Sequence, residues 1–155
     1  DNYDVIINDD GKGESADLVG LRIVDDCIVL SLIHCKYSGS EEAGARLKDL
    51  YEVCGQAQRC IRWKHLNLSY LYHHIKRREE QWRSRGHSRF LKGTIKDLAA
   101  MKERSRITPL KFQVVIVQPG LRVSKINEEG LKLLGSTALF IKKTTIADLV
   151  VVGSK

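Results

Sequence analysis

Residues 16–38 read ADLVGLRIVDDCIVLSLIHCKYS. Two apolar runs flank Asp25-Asp26, and aspartate pairs suit a tight two-residue turn because Asp tolerates left-handed backbone. The spacing predicts strands over 17–24 and 27–37, joined as a hairpin. Side chains alternate along a strand, so His34 and Lys36 share a face. A hairpin of this length returns Lys36 to the neighbourhood of Asp17. An acid, an imidazole and a lysine then converge at one strand end, an arrangement suited to metal-assisted phosphodiester cleavage. The second run is apolar at almost every position, as expected of a central strand covered on both faces.

Working outward, residues 3–8 (YDVIIN) predict a first strand and 9–15 (DDGKGES) a turn. A polar loop is expected over 38–44. Residues 45–65 (ARLKDLYEVCGQAQRCIRWKH) predict a helix whose inner stripe is Leu47, Leu50, Tyr51, Cys54, Ala57 and Ile61. Asp49, Glu52, Gln56, Arg59 and Trp63 fall on an adjoining polar face. Gly55 costs such a helix about 1 kcal/mol relative to Ala, which close packing on the sheet would explain. Helices are expected over 69–83 and 88–102, split at Gly86. A strand is expected over 112–118 before Pro119-Gly120, helices over 125–134 and 136–143, and a last strand over 146–152. The order is three strands, helix, basic helical segment, strand, helix, strand. It predicts one α/β domain over 1–155, a mixed β-sheet flanked by helices, with residues 66–106 as a basic helical insertion.

Charge separates along the chain. Residues 1–58 hold 5 basic and 12 acidic groups, residues 59–106 hold 14 and 4, and residues 107–155 hold 7 and 3, within an overall net charge of +7. An acidic segment that could ligate metal is thus followed by one suited to a polyanion, and nucleic acid is the expected partner. The candidate phosphate contacts are Arg59, Lys76, Arg77, Arg78, Arg83, Arg85 and Arg89, with Lys92 and Lys96 further along. Trp82 and Phe90 are interleaved, either to stack on bases or to pack in the core. Hydrophobic content of 43% fits a globular domain, and no apolar run approaches the roughly 18 residues of a membrane span. Cys27, Cys35, Cys54 and Cys60 form no CxxC pair and match no zinc spacing. Read as free thiols, they point to a reducing, cytoplasmic compartment. The chain starts at Asp1 and runs directly into a strand-like segment, as expected of a fragment of a larger protein. HExxH, P-loop, GxGxxG and GxSxG patterns do not occur.

Asp17, the tripeptide His34-Cys35-Lys36 and this order of elements resemble the PD-(D/E)XK nuclease superfamily, whose restriction-endonuclease-like core contains an αβββαβ unit. The resemblance covers most of the chain apart from the basic segment and the missing first helix. The narrower wording IHCKYS (33–38), DLYEVCGQAQR (49–59) and VVIVQPGL (114–121) is similar to a C-terminal nuclease region of bacterial helicase-type proteins associated with restriction and antiphage defence. The resemblance implies a divalent-metal-dependent DNA endonuclease. In it Asp17, His34 and the main-chain carbonyl of Cys35 bind the metal, and Lys36 stabilises the transition state or orients the water. Gln56, on the following helix, lies over the site, as Glu52 also can, and Glu14 is a candidate for a migrated carboxylate. The departure is His34, where the family has Glu or Asp. Nitrogen ligation favours Mn²⁺ over Mg²⁺. The implied partners are DNA, the rest of a helicase-containing parent chain, and a second copy where both strands are cut.

The same residues admit plainer roles: Asp17 as a turn acid, His34 as a hydrogen-bonded core histidine, Lys36 as a strand-end lysine. Two other functions therefore stay open. One is a catalytically inactive nucleic-acid-binding module on the same fold, and the other is a protein-interaction domain whose basic helices meet an acidic partner.

Overall fold

The computed structural model of the protein describes residues 2–37, 46–122 and 124–154. Strands β1 (Val5–Asn8), β2 (Leu18–Val24) and β3 (Cys27–Cys35) form an antiparallel meander. Asp25 and Asp26 both take left-handed backbone, at φ 46° and 56°, and close the β2–β3 hairpin as the two-residue turn requires. Helices α1 (Leu47–Cys60), α2 (Arg62–His65) and α3 (Leu68–Arg83) follow. Then come β4 (Phe90–Lys92), α4 (Ile95–Arg104), β5 (Leu110–Val117), α5 (Glu128–Thr145) and β6 (Asp148–Val152). The six strands stand in the order β4-β1-β2-β3-β5-β6, with β5 parallel to β3 and β6 parallel to β5. The expected mixed sheet flanked by helices is present.

The core explains the layering. Ile28, Leu30 and Leu32 of β3 alternate onto one face, and the ladder sets Val19, Leu21, Phe112, Val114 and Ile116 beside them. The helices contribute Val53, Cys54, Ala57, Leu68, Leu71, Ile75, Leu98 and Ile141 to the same cluster. The opposite face of β3 takes no part in it, although Ser31 and Ile33 are buried there. Its cover is local: the Tyr3 ring lies so close over Gly20 that a Cβ would come within 2.6 Å of it. Ser31 donates to Gln113 on β5. β3 is thus buried on both faces, as expected of a central strand, with the helix-bearing core cluster on one of them.

Several local expectations shift. Residues 88–102 are not one helix: Phe90–Lys92 pairs with β1 as an edge strand, Gly93 turns the chain at φ 73°, and the Thr94 hydroxyl caps α4 by accepting from the Asp97 N–H. The two helices expected around Gly135 are one 18-residue helix. It is capped by the Asn127 side chain and stopped by Ile146 at φ 59°, so Ile146 ends a helix rather than beginning a strand. The polar loop expected over 38–44 lies outside the described residues. Tyr51, assigned to the inner stripe of α1, is 60% exposed, while Trp63, assigned to the polar face, is buried. The buried line actually runs through Leu50, Val53, Cys54, Ala57 and Cys60. Residues 66–106, expected as a helical insertion within the domain, also contain strand β4. Leu68, Leu71, Ile75, Leu98 and Met101 sit in the main core and β4 extends the sheet.

Candidate functional site

The turn between β1 and β2 is shaped from beneath by α3. Asp9 is fully buried and accepts from the N–H and hydroxyl of Ser15, both at 2.7 Å. His74 Nε2 lies 3.1 Å from the same carboxylate, and Arg78 Nε lies 2.5 Å from its other oxygen. Burial alone would raise the Asp9 carboxyl, but the His74 and Ser15 hydrogen bonds outweigh it and hold it below its ordinary value. Arg78 also donates to the carbonyls of Asp9, Asp10 and Lys12 at 2.7, 3.1 and 2.8 Å. Arg89 donates to those of Asn8 and Asp10. Glu79 accepts from Arg83, the Ser88 hydroxyl and the Arg89 N–H. Gly11 and Gly13, at φ 115° and 84°, let the turn fold back over this scaffold.

The result is a cluster of acids. Ligand oxygens of Asp10, Glu14 and Asp17 lie within 4.8 Å of one another. Burial pushes the Asp17 carboxyl up, the Cys35 N–H opposes it, and the Asp10 charge adds to the rise. Glu14 is raised by burial against a hydrogen bond from the Gly11 N–H, with the charges of Asp17 and Asp10 adding to it. Three carboxylates so placed suit a hard divalent cation. Glu14 was legible as a candidate from its turn; Asp10 was not.

Asp17 directly precedes β2, and the register Leu18↔Ile33 sets it opposite His34. Asp17 Oδ2 accepts from the Cys35 N–H at 2.6 Å, completing the ladder where β2 begins, and lies 4.0 Å from His34 Nδ1. His34 is 2% exposed and neither ring nitrogen has a hydrogen-bond partner. Burial, with the Arg59 charge adding to it, pushes its pKa down to about 4, so the ring is neutral at pH 7. A neutral imidazole offers a lone pair.

His34 opens into a cleft of about 420 Å³ between the glycine turn and the α1–α2 junction. Glu14, Gln56, Arg59, Arg62 and Trp63 line it as well. Gln56 Oε1 and Trp63 Nε1, like both His34 nitrogens, are buried without partners. An unpartnered buried polar atom costs roughly 1–3 kcal/mol, so their concentration around one cleft marks a place shaped for a ligand. Arg59 and Arg62 supply exposed positive charge at its wall. Arg62, Lys12 and Trp63 had no place in the sequence-based site, because only the fold brings the glycine turn against α1 and α2.

Lys36 projects from the end of β3 toward α1, where its ammonium donates to Glu52. That hydrogen bond raises the Lys36 pKa and lowers that of Glu52. Cys35 is exposed, and the four cysteines are free. Among the expected phosphate contacts, Arg59, Lys76, Arg77, Arg83 and Arg85 are exposed. Arg78 and Arg89 are not available for that role: they are 9% and 6% exposed, and their donors hold turn carbonyls. Trp82 is stacked under the Arg89 guanidinium, 4.3 Å from ring centroid to carbon, and Phe90 lies in the β4 ladder, so both aromatics serve packing.

Comparison of the chain with protein-family models, with curated proteins and with solved structures finds no match. No helix among the described residues is long and apolar enough to cross a membrane.

Proposed function

We propose that this domain is a divalent-metal-dependent DNA nuclease with a restriction-endonuclease-like arrangement of the PD-(D/E)XK kind. The observation that carries the proposal is the acid cluster of Asp10, Glu14 and Asp17, with Asp17 beside the unpartnered imidazole of His34 and both Glu14 and His34 lining a cleft that Arg59 and Arg62 also line. The donor set fits the cation: carboxylate oxygens suit Mg²⁺ or Mn²⁺, and a neutral imidazole nitrogen shifts the preference toward Mn²⁺.

Asp17 would hold the cation with Glu14 and Asp10 as the further carboxylates, and His34 and the Cys35 carbonyl would complete the set. When bound, the cation lowers the pKa of a coordinated water and offsets charge on the phosphate. Arg59 and Arg62 draw the phosphodiester into the cleft. Gln56, its carbonyl oxygen unpartnered, orients a water or a sugar hydroxyl. Lys36, released from Glu52 when the backbone phosphate arrives, stabilises the developing negative charge. A role in bacterial restriction or antiphage defence, within a larger helicase-containing chain, rests on the resemblance of residues 33–38, 49–59 and 114–121.

The test is cleavage of plasmid and oligonucleotide DNA with Mn²⁺ or Mg²⁺. Asp17→Asn and Lys36→Ala should each abolish cutting and leave DNA binding within about twofold. No cutting by the wild-type domain under either metal would end the enzyme reading. One observation favours a second reading, a catalytically inactive binding module: Lys36 is already engaged by Glu52. That reading expects salt-sensitive DNA binding, unchanged by Lys36→Ala, with no cleavage under any divalent metal.

A further inference from the structure

A second concavity lies next to the cleft and shares two lining residues with it. A groove of about 640 Å³ runs between α1 and α5, and Gln56 and Arg59 line both spaces. Tyr51 and Phe140 form its walls from the two helices, and they remain 60% and 42% exposed. Gly55 lies between them on α1, and nothing among the described residues comes within 4 Å of where its Cβ would stand. A glycine inside a helix is a local defect. The sequence suggests close packing as its reason, but no packing partner is there. What the missing side chain leaves is open space in the groove.

The charges follow the same line. Lys48, Tyr51, Gly55 and Arg59 recur at three- and four-residue spacing, so they share one face of α1. Lys48 and Arg59 are exposed at its two ends. Glu52 lines the groove as well, and its charge is offset by Lys36. On α5 the exposed Lys143 is one turn from Phe140. A helix face with aromatic side chains, a gap and flanking cations is the chemistry of a site for an unpaired strand, where bases stack and the backbone follows positive charge.

We propose that the α1–α5 groove binds single-stranded nucleic acid and leads the unpaired strand into the cleft, with Tyr51 and Phe140 as base-stacking side chains and Gly55 as the room left for a base. The direction toward a cutting site rests on the nuclease reading; the binding of a single strand does not.

The experiment is fluorescence anisotropy with a labelled oligothymidylate and, separately, a labelled duplex, both in EDTA so that nothing is cut. Tyr51→Ala, Phe140→Ala and Gly55→Leu are compared with wild type. Each should weaken single-strand binding about fivefold or more, the worth of a lost base stack, and change duplex binding less than about twofold. Gly55→Leu should also melt no lower than wild type, because leucine favours the helix, so its loss of binding cannot be a loss of folding. Unchanged single-strand affinity in all three variants, or equal losses for single strand and duplex, overturns the proposal. Wild-type cleavage with unaffected variants would remove this groove and keep the nuclease. Weakened strand binding in a domain that never cuts would do the reverse.

Discussion

Asp17 and His34 face each other across the β2–β3 ladder, with Asp17 Oδ2 4.0 Å from His34 Nδ1 and 2.6 Å from the Cys35 amide nitrogen. Asp17 therefore has two separable tasks. It ends a strand by satisfying an N–H, and it presents charge to the acid cluster.

Asp17→Asn and Asp17→Ala should separate them. The asparagine keeps a carbonyl oxygen that can accept from Cys35 and loses only the charge, so its stability should stay within about 1 kcal/mol of wild type. Alanine leaves the Cys35 N–H without its partner and should cost a further 1–2 kcal/mol or about that. Both should lose Mn²⁺ binding by at least about tenfold, more than outer-shell changes usually cause. Titration calorimetry with Mn²⁺, beside urea melts, checks both halves. Equal Mn²⁺ affinity in wild type and Asp17→Asn would remove Asp17 from the metal site.

His34 gives the metal-free protein a pH signature. Its pKa falls from 6.5 to about 4 on folding. The fold thus favours the neutral ring, and this contribution is present above pH 6.5 and lost as pH falls toward 4. Over that window the loss approaches about 3 kcal/mol. In EDTA, the urea midpoint of wild type should drop more between pH 7 and pH 5 than that of His34→Leu, which cannot titrate. Parallel drops in the two proteins would mean that His34 is not buried as a neutral group.

Much of this was readable along the chain because it is local. Asp25-Asp26 names its own turn, and the alternation through Val19, Leu21, Leu30 and Leu32 names the face that meets the helices. Asp17 and His34 come together through strand periodicity alone, whereas Lys36 turns to Glu52 on α1. What escaped reading depends on partners distant in sequence. Phe90–Lys92 is a strand because β1 offers it an edge, not because three residues carry a pattern. Gly135 stays helical because α5 is long and anchored by Ile141 in the core, which outweighs about 1 kcal/mol of glycine cost. Arg78 and Arg89 read as surface charge in a basic run. Their burial follows from the free carbonyls of a turn some 70 residues earlier.

That inward pair is testable against its exposed neighbour. Arg78→Ala leaves the carbonyls of Asp9 and Lys12 without the Arg78 donor, that of Asp10 with Arg89 alone, and Asp9 without its buried guanidinium. It should destabilise the domain by about 3–5 kcal/mol. Arg78→Lys should recover only part, because an ammonium cannot reproduce the planar fork. Arg77→Ala, one residue away and exposed, should change stability by less than about 0.5 kcal/mol while weakening DNA binding at low salt. Urea denaturation and a salt-dependent gel-shift series give both readouts. Similar stability of the Arg77 and Arg78 variants would contradict the clamp.

The acid cluster makes the opposite pH prediction to His34. The Glu14 and Asp17 carboxyls sit above their ordinary values, so folding favours their protonated forms. Their contribution to stability is present below the usual carboxylate range and is lost as pH rises through their raised values. Without a cation, the raised Glu14 and Asp17 carboxyls therefore make the cluster more adverse to the fold at neutral than at low pH. A divalent ion offsets that repulsion most where the repulsion is greatest. Mn²⁺ at 100 times its dissociation constant should add about 2.7 kcal/mol at pH 7, seen as a rise in melting temperature, and distinctly less at pH 5, where protons compete for the same oxygens. Glu14→Gln should melt at least as high as wild type in EDTA, since it removes one charge from the cluster, and should gain less from Mn²⁺. If Mn²⁺ raised the melting temperature equally at both pH values, or equally in the Glu14 variant, the ion would be binding somewhere other than among Asp10, Glu14 and Asp17.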